Sequence, residues 1–338
     1  MELPDHDPTL TPEPTPEPTP LPQPPVLHRI LFGKDGLRAG WGLLIFLVLL
    51  VAVGACARAI GHIFHKPTPE TAPGSVLTFT PLMLLVGEAT SFLAVLLVTW
   101  IMSKIERRPN SVYGLGGSRK LPHFFAGLGW GVGFLSLLIL TLWKTGLLVI
   151  EGRLLYGSNV LRYGAIWLIG FLMVGLFEEY FSRGYLQYTL SRGLAGIYQW
   201  VFKTSYGATL GFWTSAVIFS FLFGLGHKGN PGESPIGLVS AGLVAMVFCL
   251  SLWRTGSLWW AIGFHAGWDW AQSFLYGVAD SGTMVQNHLL ATHPVGKPIL
   301  SGGATGPEGS IFVVAILALV TVIIFLTLPR TQPRETAT

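Results

Sequence analysis

The chain has 338 residues, 51% of them hydrophobic and 11% charged, with a formal net charge of +4. A soluble domain carries about 25% charged residues, so this composition excludes a water-soluble globular protein and makes lipid the natural solvent. The basic excess then reports asymmetry between connecting loops, not a nucleic-acid partner.

The first 28 residues differ from the rest. Thr11-Pro12-Glu13-Pro14 repeats as Thr15-Pro16-Glu17-Pro18 before Thr19-Pro20 starts a third copy. Proline fixes φ and lacks a backbone donor, so this stretch is expected to be a disordered, partly polyproline-II tether. Its acidic, proline-rich start does not fit a signal peptide.

Eight apolar segments follow, each near the ~20 residues that span a bilayer. They run approximately 40–60, 81–103, 124–150, 163–190, 208–227, 236–253, 257–276 and 311–328. Gly127 and Gly131 form a small-xxx-small pair in the third, a spacing that lets helix backbones approach closely. Arg and Lys collect in alternate connections, among them Arg29, Lys104, Arg107, Arg108, Arg119, Lys120, Arg192, Lys203 and Arg254. That bias predicts both termini on the cytoplasmic side of a plasma (inner) membrane. Cys56 and Cys249 lie in apolar segments with no metal or redox spacing, and are expected to be small buried residues. The connection from Gly277 to Gly309, rich in Gly, Pro and Thr, shows no chemistry, and His288 and His293 read as loop histidines.

Ionisable side chains at membrane depth are costly, so each is a candidate functional residue. Glu178-Glu179 in the fourth segment are adjacent carboxylates in apolar surroundings, a setting suited to acid–base work. Glu179 and Arg183 are four apart and share a helix face, which leaves Glu178 to face a cavity. Phe223 and His227 close the fifth segment, and His265 and Asp269, again four apart, lie in the seventh. Taken singly, each group has a structural reading too: a salt-bridge network for the Glu pair, a capped or interfacial helix-end residue for His227, and a buried pair linking helices for His265 and Asp269. Together, two Glu, two His and an Asp on three spans suit the activation of water. Either a carboxylate is the base with histidines at the oxyanion, or Glu and His hold a metal. Glu88 and Lys144 have similar depths in the second and third segments and are expected to form a structural ion pair.

The order E-E-x-x-x-R, F-x-x-x-H, H-x-x-x-D, carried by Glu178-Glu179…Arg183, Phe223…His227 and His265…Asp269, resembles the CPBP (Abi) family of intramembrane endopeptidases, which includes the type II CAAX prenyl endopeptidases. Phe181-Ser182-Arg183-Gly184 resembles that family's F-R-G with one residue inserted, and Thr255-Gly256-Ser257-Leu258-Trp259 is also similar. The resemblance covers about Tyr163 to Phe274. It implies an all-α, polytopic transmembrane helix bundle of about eight spans with its active site in an intramembrane cavity. The expected organisation is a tail (1–28), N-terminal spans (29–160), a catalytic core (161–277), an outer loop (278–310) and a last span with a short tail (311–338).

The roles implied are Glu178 activating water, His227 assisting, His265 and Asp269 stabilising the oxyanion, and Glu179 with Arg183 and Phe223 in support. Asp269 stands where prenyl proteases carry Asn, and an ionised Asp cannot donate to an oxyanion. It would instead orient His265, hold a proton or bind a metal. A divalent metal such as zinc would fall to Glu178, His227, His265 and Asp269; a metal-free reaction is equally open. The partners implied are membrane lipid and a membrane-associated or prenylated protein, with no nucleic acid. A non-catalytic scaffold of bacteriocin-immunity type and a proton-coupled transporter are the rival readings.

One expectation is geometrically awkward. At 1.5 Å per residue, Glu178 lies roughly 20 Å from the inner end of its segment, His265 roughly 12 Å and His227 roughly 30 Å.

Overall fold

The computed structural model describes residues 25–33, 36–64 and 77–329. The proline-rich repeat lies outside them, and the chain is already helical from Val26 to Leu31, at the end of the stretch expected to be a tether. The eight apolar segments form eight helices: α1 (Ala39–Phe64), α2 (Pro81–Ile105), α3 (Lys120–Lys144), α4 (Ser158–Phe202), α5 (Gly207–Gly226), α6 (Pro235–Thr255), α7 (Trp259–Asp269, continued by a π-turn over Trp270–Leu275) and α8 (Phe312–Thr327). The first six are long and apolar enough to cross a membrane. Leu47, Val51, Leu93, Phe221 and Leu326 stand exposed on the helix surfaces. With so few charges among them, the protein is an integral membrane helix bundle.

Local chemistry sets several boundaries. Thr80 caps α2 by accepting from the Met83 N–H at 3.2 Å, with Pro81 in the first turn. Ser234 caps α6 in the same way, accepting from the Gly237 N–H at 3.0 Å ahead of Pro235. Gly256, at φ +65°, ends α6 in the left-handed region that favours glycine. The turn continues as Leu258 N–H donates to Gly114 O at 2.9 Å and Ser257 Oγ donates to Gly116 O at 3.1 Å. The Thr255–Trp259 motif is thus the anchored corner from which α7 enters the bundle.

Two expected boundaries are corrected. The third helix stops at Lys144 rather than Ile150: Gly146 adopts φ +73°, and Leu148–Arg153 forms a strand, β1, antiparallel to Leu290–Pro294, β2. Val149 and Ile150 suit a strand as well as a helix. The fourth helix continues past Leu190 to Phe202. Cys249 is buried as expected, but Cys56 is exposed.

The longer fourth helix resolves the difference in depth between Glu178 and His227. Helix α5 returns antiparallel along it, so close that a Cβ on Gly211 would stand 2.5 Å from Ser191 O and 2.7 Å from Ala195 N. Tyr198 and Thr214 share a hydroxyl hydrogen bond of 2.9 Å further along the hairpin. Following that register from Gly211 to His227, and back from Ala195 by the same number of residues, arrives at Glu179. The depth count had placed the turn at Leu190, a full three turns too early.

Helix α7 is held against α3 by glycines on both. A Cβ on Gly127 would lie 2.1 Å from Trp260 O, on Gly131 2.2 Å from Phe264 O, on Gly263 2.1 Å from Phe124 O and on Gly267 2.4 Å from Leu128 O. The Gly127–Gly131 pair acts as expected, and Gly263–Gly267 is its counterpart. Gly131→Ala is therefore expected to cost at least about 1–3 kcal/mol by forcing the backbones apart. Gly129→Ala, where nothing lies within 4 Å of the added carbon, is its control. Thermal unfolding of the two variants in detergent compares them, and equal midpoints would contradict the close contact.

Candidate active site

The candidate residues meet where α4, α5 and α7 cross. Glu178 and Glu179 end the α-helical part of α4, and Tyr180–Leu186 continues as a π-turn. One residue inserted into a helix is accommodated by such a turn, and π-turns often mark functional sites. The extra residue in Phe181-Ser182-Arg183-Gly184 falls inside it. Arg183 still reaches back, its Nη1 lying 2.7 Å from Glu179 Oε1, with side-chain exposures of 2% and 0%. The guanidinium also lies over the Phe223 ring at 4.6 Å and the Phe248 ring at 5.4 Å. These contacts give Phe223 its supporting place, as a face for a buried cation.

His265 is the centre of the group. Its Nδ1 is 3.0 Å from Glu179 Oε1, while its Nε2 is 3.4 Å from Asp269 Oδ2 and 3.8 Å from Glu178 Oε2. Glu179 thus links Arg183 to the imidazole through one oxygen. The second π-turn begins directly after Asp269. Glu178 is the most accessible of the three carboxylates, at 27% against 0% for Glu179 and 11% for Asp269. Its Oε2 is nonetheless buried and has no hydrogen-bond partner among the described residues. His227 turns its Nδ1 to Phe223 O at 2.8 Å, and its ring centroid is 4.9 Å from that of Phe223.

A cavity of about 70 Å³ opens beside this cluster, lined by His227, His265, Asp269, Asp280 and Glu308 among others. That is room for several water molecules, and the polar walls suit them. Glu178 is not part of the lining; it sits at the margin, facing the same His265 nitrogen as Asp269 does.

Asp280 and Glu308 correct the reading of the outer connection as chemically silent. Glu308 accepts from Ser281 N–H at 2.5 Å and from the Gln272 side-chain amide, and Asp280 Oδ2 lies 3.1 Å from Ser273 Oγ. Burial pushes Asp280 up to about 6, and burial and then the charge of Asp280 raise Glu308 well above the ordinary carboxyl range. Glu233, before α6, is likewise raised by burial, with His227 acting in the opposite direction. No periodic pattern marks these carboxylates; the only sequence signal is an acidic residue beside small apolar ones, as in Val278-Ala279-Asp280. His288 and His293 are loop histidines, bonded to Leu290 O at 2.7 Å and paired with exposed Glu151 at 3.1 Å.

Glu88 is also reassigned. Leu84 packs on Gly170 and the Phe92 ring lies 6.3 Å from Tyr180, which brackets Glu88 beside α4, where it interacts with the charges of Glu178 and His265. Lys144 instead lies over its neighbour Trp143 at 4.4 Å. Among the described residues no ion pair joins the two; similar depth did not mean the same face.

The metal expectation meets a poor fit. Among the described residues, no group of three or more His, Cys, Asp or Glu is disposed to hold a metal ion.

Fold and site together define a polytopic membrane protein with a carboxylate–histidine cluster sunk in its helices. Residues 159–271 match the type II CAAX prenyl endopeptidase Rce1-like family. The matched segment contains every motif residue from Glu178 to Asp269 and is consistent with the CPBP family. No curated protein matches the chain, and no solved structure does.

Proposed function

We propose that the protein is an intramembrane endopeptidase that hydrolyses a peptide bond in a membrane-associated or lipidated protein, with Glu178 as the base. The observation that carries this reading is the Glu178 Oε2 atom, buried without a hydrogen-bond partner among the described residues and 3.8 Å from His265 Nε2. That separation is too long for a direct hydrogen bond and suits one water held between both groups. Glu178 takes a proton from that water as its oxygen attacks the scissile carbonyl. His265, fixed by Glu179 on one side and Asp269 on the other, presents Nε2 to the attack. Asp269 thereby orients the imidazole, one of the roles open to an Asp at this position. His227, which lines the same cavity as His265, assists the water.

The direct test is cleavage of a prenylated peptide carrying a CAAX box by the purified protein in liposomes, followed by mass spectrometry. A single internal cut is expected; an intact peptide, together with intact unlipidated transmembrane peptides, would overturn the peptidase reading. The Lys and Arg bias supports both termini facing the cytoplasm of a plasma-membrane protein. A protease-sensitive tag after Thr338 is expected to survive external digestion of right-side-out vesicles, and its loss would reverse the orientation.

A further inference from the structure

We propose that Asp280, carried by the outer connection and outside the family-matched segment, is the general acid that protonates the leaving amine. The inference rests on the peptidase reading with Glu178 as base. Three observations support it.

First, Asp280 lines the same cavity as His265 and Asp269, so a peptide reaching His265 through that cavity passes the Asp280 carboxyl. Second, Asp280 is close enough to Glu308 for its charge to oppose the ionisation of Glu308. Two such carboxyls hold a shared proton more readily than either would alone. Third, the partners of the pair are unequal. Both Glu308 oxygens are held in place by N–H donors, Ser281 and Gln272. The side chain of Asp280 has one hydrogen-bond partner among the described residues, the Ser273 hydroxyl, which can donate or accept. Asp280 is therefore the member free to deliver a proton.

The chemistry balances without a co-reactant. Water oxygen bonds to the carbonyl carbon and its proton passes to Glu178. The C–N bond then breaks as the nitrogen takes the proton of Asp280. The proton held on Glu178 returns to Asp280 through water in the cavity, and one water is consumed. Of the charged groups facing Asp280, Glu178 favours its protonated form and His265 and His227 oppose it, and Asp280 acts in turn on Asp269 and Glu308. Because the acid acts only while protonated, amide cleavage is expected to fall as pH rises through about 6.

The test compares two probes with one acyl sequence, a prenylated peptide amide and its activated ester, whose leaving group needs no proton. Asp280→Asn is expected to lower the amide-to-ester rate ratio by about 10²-fold or more, the lower end of a general acid's contribution. Asp280→Glu, which keeps the carboxyl, is expected to recover most of the ratio. Ser273→Ala removes the hydrogen bond that holds Asp280 down, so the alkaline limb of amide cleavage moves to higher pH in a protein that keeps its acid. A ratio equal to wild type in Asp280→Asn, or an alkaline limb unmoved by Ser273→Ala, overturns the assignment. Failure of the underlying reading looks different: Glu178→Gln would then keep both amide and ester cleavage, whatever happens at Asp280.

Discussion

Glu178→Gln is expected to lower kcat for peptide cleavage by about 10²–10⁴-fold, the usual contribution of a positioned general base. The amide matches the carboxylate in shape but cannot take a proton from water. KM is expected to move far less, because the proton transfer belongs to the transition state and not to substrate binding. The fold is expected to tolerate the change. Glu178 Oε2 has no hydrogen-bond partner among the described residues, so no hydrogen bond at that atom is lost, and the long 3.8 Å approach to His265 is weakened as a partly buried charge is removed. A thermal midpoint at or above wild type together with lost turnover is the signature. A large fall in the midpoint would instead mean that Glu178 holds the helices together, the structural alternative for this carboxylate pair.

Arg183→Ala is expected to do the reverse, with stability lost first. Arg183 and Glu179 are both buried, 2.7 Å apart. Removing one partner of a buried pair costs about 3–5 kcal/mol, because the other charge is left uncompensated. Here the orphaned Glu179 would also pull on His265, which it holds at 3.0 Å. The double variant Arg183→Met with Glu179→Gln removes both charges and keeps similar volume. It is expected to be more stable than Arg183→Ala while losing activity, since His265 then meets a neutral amide oxygen in place of a charged acceptor. Thermal unfolding in detergent with a parallel cleavage assay reads both effects. A double variant as unstable as the sum of its singles would show that the two side chains do not act as a pair.

Most of the bundle was legible because lipid imposes a simple rule: about 20 apolar residues, bounded by charges, make a span. The cluster was legible for the same reason, since Glu178, Glu179, Arg183, His265 and Asp269 stand out against apolar neighbours. Helical spacing also placed Glu179 on Arg183 and His265 on Asp269 correctly. What failed required knowledge of rotation, register or long-range pairing. Leu148-Val149-Ile150 continues an apolar run, and only its pairing with Leu290–Pro294 makes it a strand. The extension of α4 to Phe202 carries polar residues that end an apolar segment without ending a helix, and the depth of His227 was misjudged with it. Glu88 and Lys144 match in depth but not in direction. Asp280 and Glu308 lie in a segment whose Gly and Pro content reads as loop, and their place in the cavity comes from tertiary contacts with Gln272, Ser273 and Ser281.

The central claim is that this site hydrolyses peptide bonds with Glu178 as base. The most direct measurement is the cleavage rate of a prenylated CAAX peptide by purified protein in liposomes, with wild type and Glu178→Gln side by side and the metal content of both determined. Cleavage by wild type, loss of at least about 10²-fold in the variant, and the same metal content in both are expected. Equal cleavage by the two proteins would contradict it.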